Sequence, residues 1–303
     1  MIKIYAMLVG FAFFTGATFN LAKFSLDYFS TASAASWRFG MAAFLMVLIL
    51  GLQKKIRWST IRSYGTAYTI LGVIGIFGFN VLFFFGMKYT SSLNGALIMA
   101  TNPLLTSILA FFILKTPLTR RQIIGILFAL AGVILVLTQG SWEIIQTLSI
   151  SVGDFLVLMG NLCWALYGVL GRKYLKESSS LETTTYTMVV GAICLVLLSL
   201  FLPSPQPLGH VALAAWGAIL FMAVFTSVLG YLWWNKAMEM IGAGKASLFF
   251  NLVPVVTLFL SVMTGTPVYI SQLSGTVLVI SGVLISTGII KFKKGQRRIS
   301  ANI

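Results

Sequence analysis

Ten apolar runs, separated by short polar breaks, constrain this chain more than any other feature. They lie near Ile4–Ala22, Ala32–Leu52, Thr66–Met87, Ser91–Leu114 and Arg121–Leu137, then Gly153–Leu170, Thr183–Leu202, Val211–Trp234, Ala246–Met263 and Ile270–Ile290. About 20 apolar residues wound as an α-helix cross the hydrocarbon layer of a bilayer. Each helix satisfies its own backbone there, where water cannot. Between the runs too few residues remain for a folded soluble domain. With 58% hydrophobic and 9% charged residues and a mean hydropathy of +0.97, the chain has too little charge for a water-facing surface of its size. The fold class expected is an all-α integral membrane protein of ten transmembrane helices. Lys3 before an apolar run resembles a secretory leader, but no small-residue cleavage pattern precedes Ala22. The first run reads as a membrane helix.

The charges give an orientation. Of the 21 Lys and Arg residues, all but Lys23, Lys88 and Arg38 fall in the terminal segments or in the loops after the second, fourth, sixth and eighth runs. Positive residues concentrate on the cytoplasmic side, so both termini are expected there. This accounts for the net charge of +15 without a nucleic-acid partner. Cys163 and Cys194 sit in apolar runs without metal-ligand spacing, and His210 lies in a loop. With six acids in the chain, these build no zinc site or hydrolytic triad. The expectation is no enzyme, no cofactor and no metal.

The chain also repeats itself. Aligning residues 103–136 with 254–286 puts Pro103 on Pro254, Thr116-Pro117 on Thr266-Pro267, Gly125 on Gly275 and Gly132 on Gly282. Lys23 after the first run falls opposite Arg172 after the sixth. Five helices is an odd number, so the second unit enters the membrane from the opposite side. Two inverted five-helix repeats are expected, over residues 1–140 and 150–292, followed by a basic cytoplasmic tail over 293–303. Inverted repeats are a common construction of secondary transporters.

Trp37-Arg38-Phe39, Pro103, Cys163-Trp164-Ala165 and Pro254, in this order across both units, resemble the EamA-like branch of the drug/metabolite transporter superfamily. The resemblance covers essentially the whole chain. It departs where the family commonly has a Gly-Glu pair after the fourth helix of each unit: here stand Lys115-Thr116 and Gly265-Thr266. The resemblance implies multi-pass residence in a bacterial inner membrane and movement of small metabolites such as amino acids or amines. The partners expected are a small-molecule metabolite and the lipid bilayer, with a homodimer left open. The competing reading is a non-transporting scaffold or lipid-interacting protein built on a duplicated bundle.

Arg38 is the leading candidate contact. It lies about two helical turns into its run, where charge is costly unless it faces a cavity or a partner. It clamps an anionic group, or it snorkels outward or pairs with Asp27. Pro103 and Pro254, near the middle of their runs, each remove a backbone donor and are expected to free the carbonyls of Met99 and Phe250. They act as kinks or as part of a gate. Asn102 and Asn251 stand close enough to supply donors there. Asn20, Asn80, Trp164, Tyr167 and Tyr186 complete the candidate substrate contacts, with Trp164 and Tyr167 on one helix face. Trp37, Trp233 and Trp234 read as an interfacial belt. Glycines at 72, 75 and 78, and those at 125, 132, 275 and 282, read as close-packing surfaces. No acid is expected at mid-membrane depth, which favours uniport or exchange over carboxylate-based proton symport.

Overall fold

The structure is a computed structural model that describes residues 2–117, 119–137, 140–141, 151–202, 211–266 and 268–287. Glu143, His210, Pro267, the end of the tenth run and the basic tail lie outside the described residues. The described residues are all-helical, with no strand among them. The helices are α1 (Ile2–Ser25), α2 (Thr31–Leu52), α3 (Trp58–Tyr89), α4 (Ser92–Leu114) and α5 (Arg120–Leu137). They continue as α6 (Val152–Tyr174), α7 (Ser180–Phe201), α8 (Leu213–Ile241), α9 (Ala243–Met263) and α10 (Ile270–Thr287). All but α5 and α10 are long and apolar enough to cross a membrane; those two apolar helices of 18 residues pack on each other.

Several helices outrun the apolar stretches that signalled them. α3 begins at Trp58, well before Thr66, and α8 continues to Ile241. The extension of α8 corrects the reading of Trp234: it is 1% exposed and packs on Phe11, Trp164 and Phe250. Trp37, 38% exposed, does lie at the periphery.

Contacts recur when the helix number is raised by five. The α3–α6 contact has its counterpart in α8–α1, α4–α6 in α9–α1, and α3–α7 in α8–α2, while α2–α7 and α5–α10 map onto themselves. Gly125, Gly132, Gly275 and Gly282 are buried in the helices of the α5–α10 pair, where the lack of a side chain lets backbones approach. α3 and α8 each contain a stretch wound as a π-helix, Gly72–Gly78 and Met222–Gly230. Such wider turns re-aim the residues that follow; here these are Phe79 and Tyr231.

The two prolines do not act as mid-helix kinks. α4 is interrupted at Ala100-Thr101, and Pro103 stands in the first turn of its second segment, Asn102–Leu114. A proline in a first turn forfeits no helical hydrogen bond. α9 runs through a 3₁₀ segment, Ser247–Asn251, before Leu252–Met263, which puts Pro254 in a first turn as well. At the break in α4 the carbonyl of Ile98 accepts from Thr101 N at 3.0 Å and Thr101 Oγ1 at 2.6 Å, and Asn161 of α6 braces it from outside: Nδ2 donates to Ile98 O at 2.9 Å and to Thr101 Oγ1 at 3.0 Å.

Candidate functional site

The breaks, the π-wound turns and the inward face of α2 converge on a buried cavity of about 30 Å³. Its walls are aromatic: Phe11 and Phe19 from α1, Phe79 and Phe83 from α3, Trp164 from α6 and Tyr231 from α8. Phe250 and Met99 contribute from the two broken helices. The polar lining is Thr15, Thr18, Arg38 and Thr226. Trp164 is the hub, with ring centroids 4.7 Å from Tyr231, 5.2 Å from Phe79 and 5.5 Å from Tyr167.

Arg38 is 2% exposed and faces this cavity, so it neither snorkels nor pairs with Asp27. Its Nε donates to Ser227 Oγ at 2.9 Å, and the guanidinium carbon lies 4.9 Å from the Phe39 ring. The two ion pairs among the described residues, Arg57–Glu182 and Lys236–Glu239, lie elsewhere. Arg38 is therefore a buried cation without a carboxylate among the described residues. Trp164 Nε1 and Thr15 Oγ1, which also line the cavity, are buried without a hydrogen-bond partner, while the Tyr231 hydroxyl stands beside the Asn80 amide. Thr18 and Thr226 bond each other at 2.8 Å and share the carbonyl of Phe14. Nearly all buried polar groups find partners, so two orphans beside a guanidinium without a carboxylate make this cavity the candidate site.

The other candidates are dispersed. Asn20 bridges α1 to α9, donating to Thr257 O at 3.4 Å and accepting from Ser261 at 3.1 Å. Asn80 donates to Ile76 O at 2.7 Å and stands outside the cavity lining, with its amide beside the Tyr231 hydroxyl. Asn102 donates to Asn161 Oδ1 at 2.8 Å and accepts from Thr106. Asn251 donates to Leu248 O within its own break. Tyr186 packs on Tyr68 at 5.0 Å, away from the cavity. Tyr167 closes one wall of a second cavity of about 290 Å³, shared with Arg172, Ser180, Asn235 and Glu239. Its hydroxyl accepts from Asn235 Nδ2 at 2.8 Å, and the same nitrogen donates to Thr184 Oγ1 at 2.8 Å. The aromatic layer of Tyr167, Trp164 and Tyr231 thus divides the two cavities.

Thr15, Ser227 and Tyr231 complete the central site without having been singled out in the sequence. Short hydroxyl residues in apolar helices are ordinary, and Tyr231 reads as one aromatic of a cluster. Its signal is positional: Gly230-Tyr231 repeats Gly78-Phe79 after a π-wound turn.

Each end of the bundle carries a cation that ties two helices. Lys23 at the end of α1 donates to carbonyls at the end of α3, Met87 O and Thr90 O, both at 2.9 Å. Arg172 at the end of α6 donates to Met238 O near the end of α8 at 2.9 Å. Lys23 and Arg172 are the two cations that fall opposite each other when the sequence is aligned with itself. Asp154 is buried near the Lys23 end, bonded to Thr90.

The sequence profile of the EamA-like transporter family matches residues 2–138 and 151–288. The chain belongs to that family. It is 58% identical to "Uncharacterized transporter YyaM" of Bacillus subtilis, over 97% of this chain and 96% of that one. A protein of Salmonella typhimurium named "Probable amino-acid metabolite efflux pump" is 24% identical over 89% and 90% of the two chains. A crystal structure of a protein 20% identical to this one superposes with a TM-score of 0.69, covering 94% of this chain and 98% of that chain, and so shares the fold. This EamA-like protein is accordingly a multi-pass bacterial membrane protein of a transporter family.

Proposed function

We propose that this EamA-like protein moves small organic metabolites, amino acids or related amines and carboxylates, by alternating access. Both short helices, α5 and α10, cross the membrane in this reading, giving ten spans and two inverted repeats (residues 1–140 and 150–292). The recurrence of helix contacts on a shift of five supports that symmetry. The concentration of Lys and Arg supports cytoplasmic termini in the bacterial inner membrane. The observation that carries the reading is Arg38: a buried guanidinium, without a carboxylate among the described residues, facing a narrow central cavity. A guanidinium binds carboxylates in a fork, and the substrate supplies the missing charge.

Lys23 and Arg172 act as the two gates. Both latches are made here and the central cavity is small, so the arrangement corresponds to an occluded state. Release of the Arg172 latch opens the site to the larger cavity on the cytoplasmic side; release of the Lys23 latch opens it outward. None of Asp27, Asp154, Glu177, Glu182 and Glu239 lines the central cavity, which favours uniport or exchange over carboxylate-based proton symport.

The test is flux in proteoliposomes containing only this protein, with a panel of radiolabelled carboxylates, amino acids and amines. Arg38→Met abolishes uptake while the variant still inserts and elutes as a monodisperse species. Wild-type flux equal to that of empty liposomes, or full flux in Arg38→Met, overturns the proposal.

A further inference from the structure

The central cavity is rich in donors and poor in acceptors, and this narrows its substrate. Arg38 carries N–H groups on three nitrogens and spends only Nε, on Ser227. Its two terminal nitrogens make no hydrogen bond among the described residues. Trp164 Nε1 is a donor only, and it too lacks a partner. The free hydroxyl on the wall is that of Thr15, which also brings a hydrogen of its own; the Tyr231 hydroxyl stands beside the Asn80 amide and likewise carries a hydrogen. The hydroxyls of Thr18 and Thr226 are already engaged. Among the described residues no Asp or Glu lines the cavity to receive a cation.

We infer that the substrate is a monocarboxylate without an α-ammonium group: a 2-oxo or 2-hydroxy acid with an apolar side chain. Its carboxylate lies across the Arg38 fork and neutralises it. Its 2-oxygen accepts from Trp164 Nε1 or from the Tyr231 hydroxyl. Its side chain packs among Phe11, Phe79 and Phe83 once these rings move apart, because the about 30 Å³ between them admits roughly one water. An α-ammonium would bring three further donors and a second positive charge to a wall that already has an excess of both. Buried donors left facing donors are penalised twice, by lost hydrogen bonds and by repulsion. The inference rests on the central cavity being the substrate site.

Paired ligands that differ only at C2 test it. Binding of 4-methyl-2-oxopentanoate and of leucine to the purified full-length protein is compared by calorimetry, with 3-methylbutylamine as the amine without a carboxylate. The oxo acid is expected to bind at least about tenfold more tightly than leucine, the scale at which a site rejects a ligand that mismatches its polar groups, and the amine not at all. Trp164→Phe, which keeps a ring and loses the N–H, weakens the oxo acid several-fold. Arg38→Met abolishes its binding with elution and thermal stability preserved. Leucine binding as tightly as the oxo acid, both lost in Arg38→Met, overturns the substrate class and leaves the central site standing. Binding of either ligand that survives Arg38→Met overturns the central site itself. Absence of binding by both acids overturns the substrate class.

Discussion

Breaking one latch at a time is the most direct probe of the two-gate arrangement. Lys23 Nζ donates to Met87 O, Thr90 O and Lys88 O at 2.9, 2.9 and 3.3 Å, where α3 ends and its dipole is negative. Hydrogen bonds from a charged donor contribute about 1.5–3 kcal/mol. Lys23 is exposed at this end, and solvent screening reduces the net effect to ~1–2 kcal/mol. Arg172 makes a single bond of 2.9 Å to Met238 O and is also exposed, which sets its contribution at ~1 kcal/mol. Lys23→Met therefore shifts the equilibrium toward the outward-open state by roughly 5- to 30-fold, and Arg172→Met shifts it toward the inward-open state by roughly fivefold. The reporter is Thr15→Cys on the wall of the central cavity, in a background with Cys163 and Cys194 replaced by alanine. A charged, membrane-impermeant thiol reagent is added from either side of oriented vesicles. Lys23→Met accelerates labelling from the periplasmic side and slows it from the cytoplasmic side; Arg172→Met does the reverse. If both variants change labelling in the same direction, the symmetric-latch reasoning is refuted.

Two further outcomes follow from the packing. In Gly75→Ala the new Cβ would stand 2.3 Å from Tyr167 Cδ2, and the overpacking lowers stability by about 1–3 kcal/mol. Gly65→Ala, where a Cβ meets nothing within 4 Å, leaves the thermal midpoint in detergent unchanged or raised, and equal losses in the two variants would contradict this packing. Asn161→Leu leaves the Asn102 amide without its acceptor, removes a donor from the Thr101 hydroxyl, and takes one of three donors from the Ile98 carbonyl, which keeps Thr101 N and Oγ1. The expected loss is about 2–4 kcal/mol, read as a lowered midpoint. An unchanged midpoint would remove Asn161 from its role at the α4 break.

Helix placement was readable because the bilayer forces long apolar runs, and a run of that kind has one conformation open to it. The ends of α3 and α8 were less legible, since Trp58–Gly65 and Asn235–Ile241 mix polar residues with apolar ones and their helicity comes from neighbouring helices. Arg38 stood out for a physical reason: charge within an apolar run has to be compensated by something. The asparagines were individually conspicuous, yet Asn20, Asn102 and Asn251 serve helix junctions and breaks, and Asn80 bonds its own helix. An amide that satisfies a broken backbone and an amide that binds a ligand look the same in one dimension. The position of Pro103 in a first turn was hidden too, because a run of apolar residues does not reveal that Ala100-Thr101 interrupts it. Trp164 and Tyr167 share a face as expected, but they belong to the aromatic layer between two cavities, Trp164 lining one and Tyr167 the other.

The same uncompensated guanidinium constrains the transport cycle. When the site closes around a carboxylate, Arg38 acquires its counter-charge and the orphan donors acquire an acceptor. When it closes unloaded, a cavity of about 30 Å³ holds roughly one water, too little to replace bulk hydration of a cation. An unpaired buried charge is penalised by about 3–5 kcal/mol relative to a paired one. The occluded state lies on the path between the two open states, so that penalty enters the barrier for the empty carrier and not for the loaded one. Each 1.4 kcal/mol slows a step about tenfold. Exchange of substrate for substrate is therefore expected to outrun net efflux into substrate-free buffer by at least about tenfold, since even a fraction of the penalty suffices. Proteoliposomes loaded with labelled substrate, diluted into buffer with or without unlabelled substrate, measure both rates directly. Arg38→Gln removes the charge while keeping a donor, and should narrow the gap between the rates even where it weakens binding. Equal rates of exchange and net efflux in the wild type would show that the empty carrier crosses the occluded state without the penalty, and would place the counter-charge of Arg38 somewhere other than on the substrate.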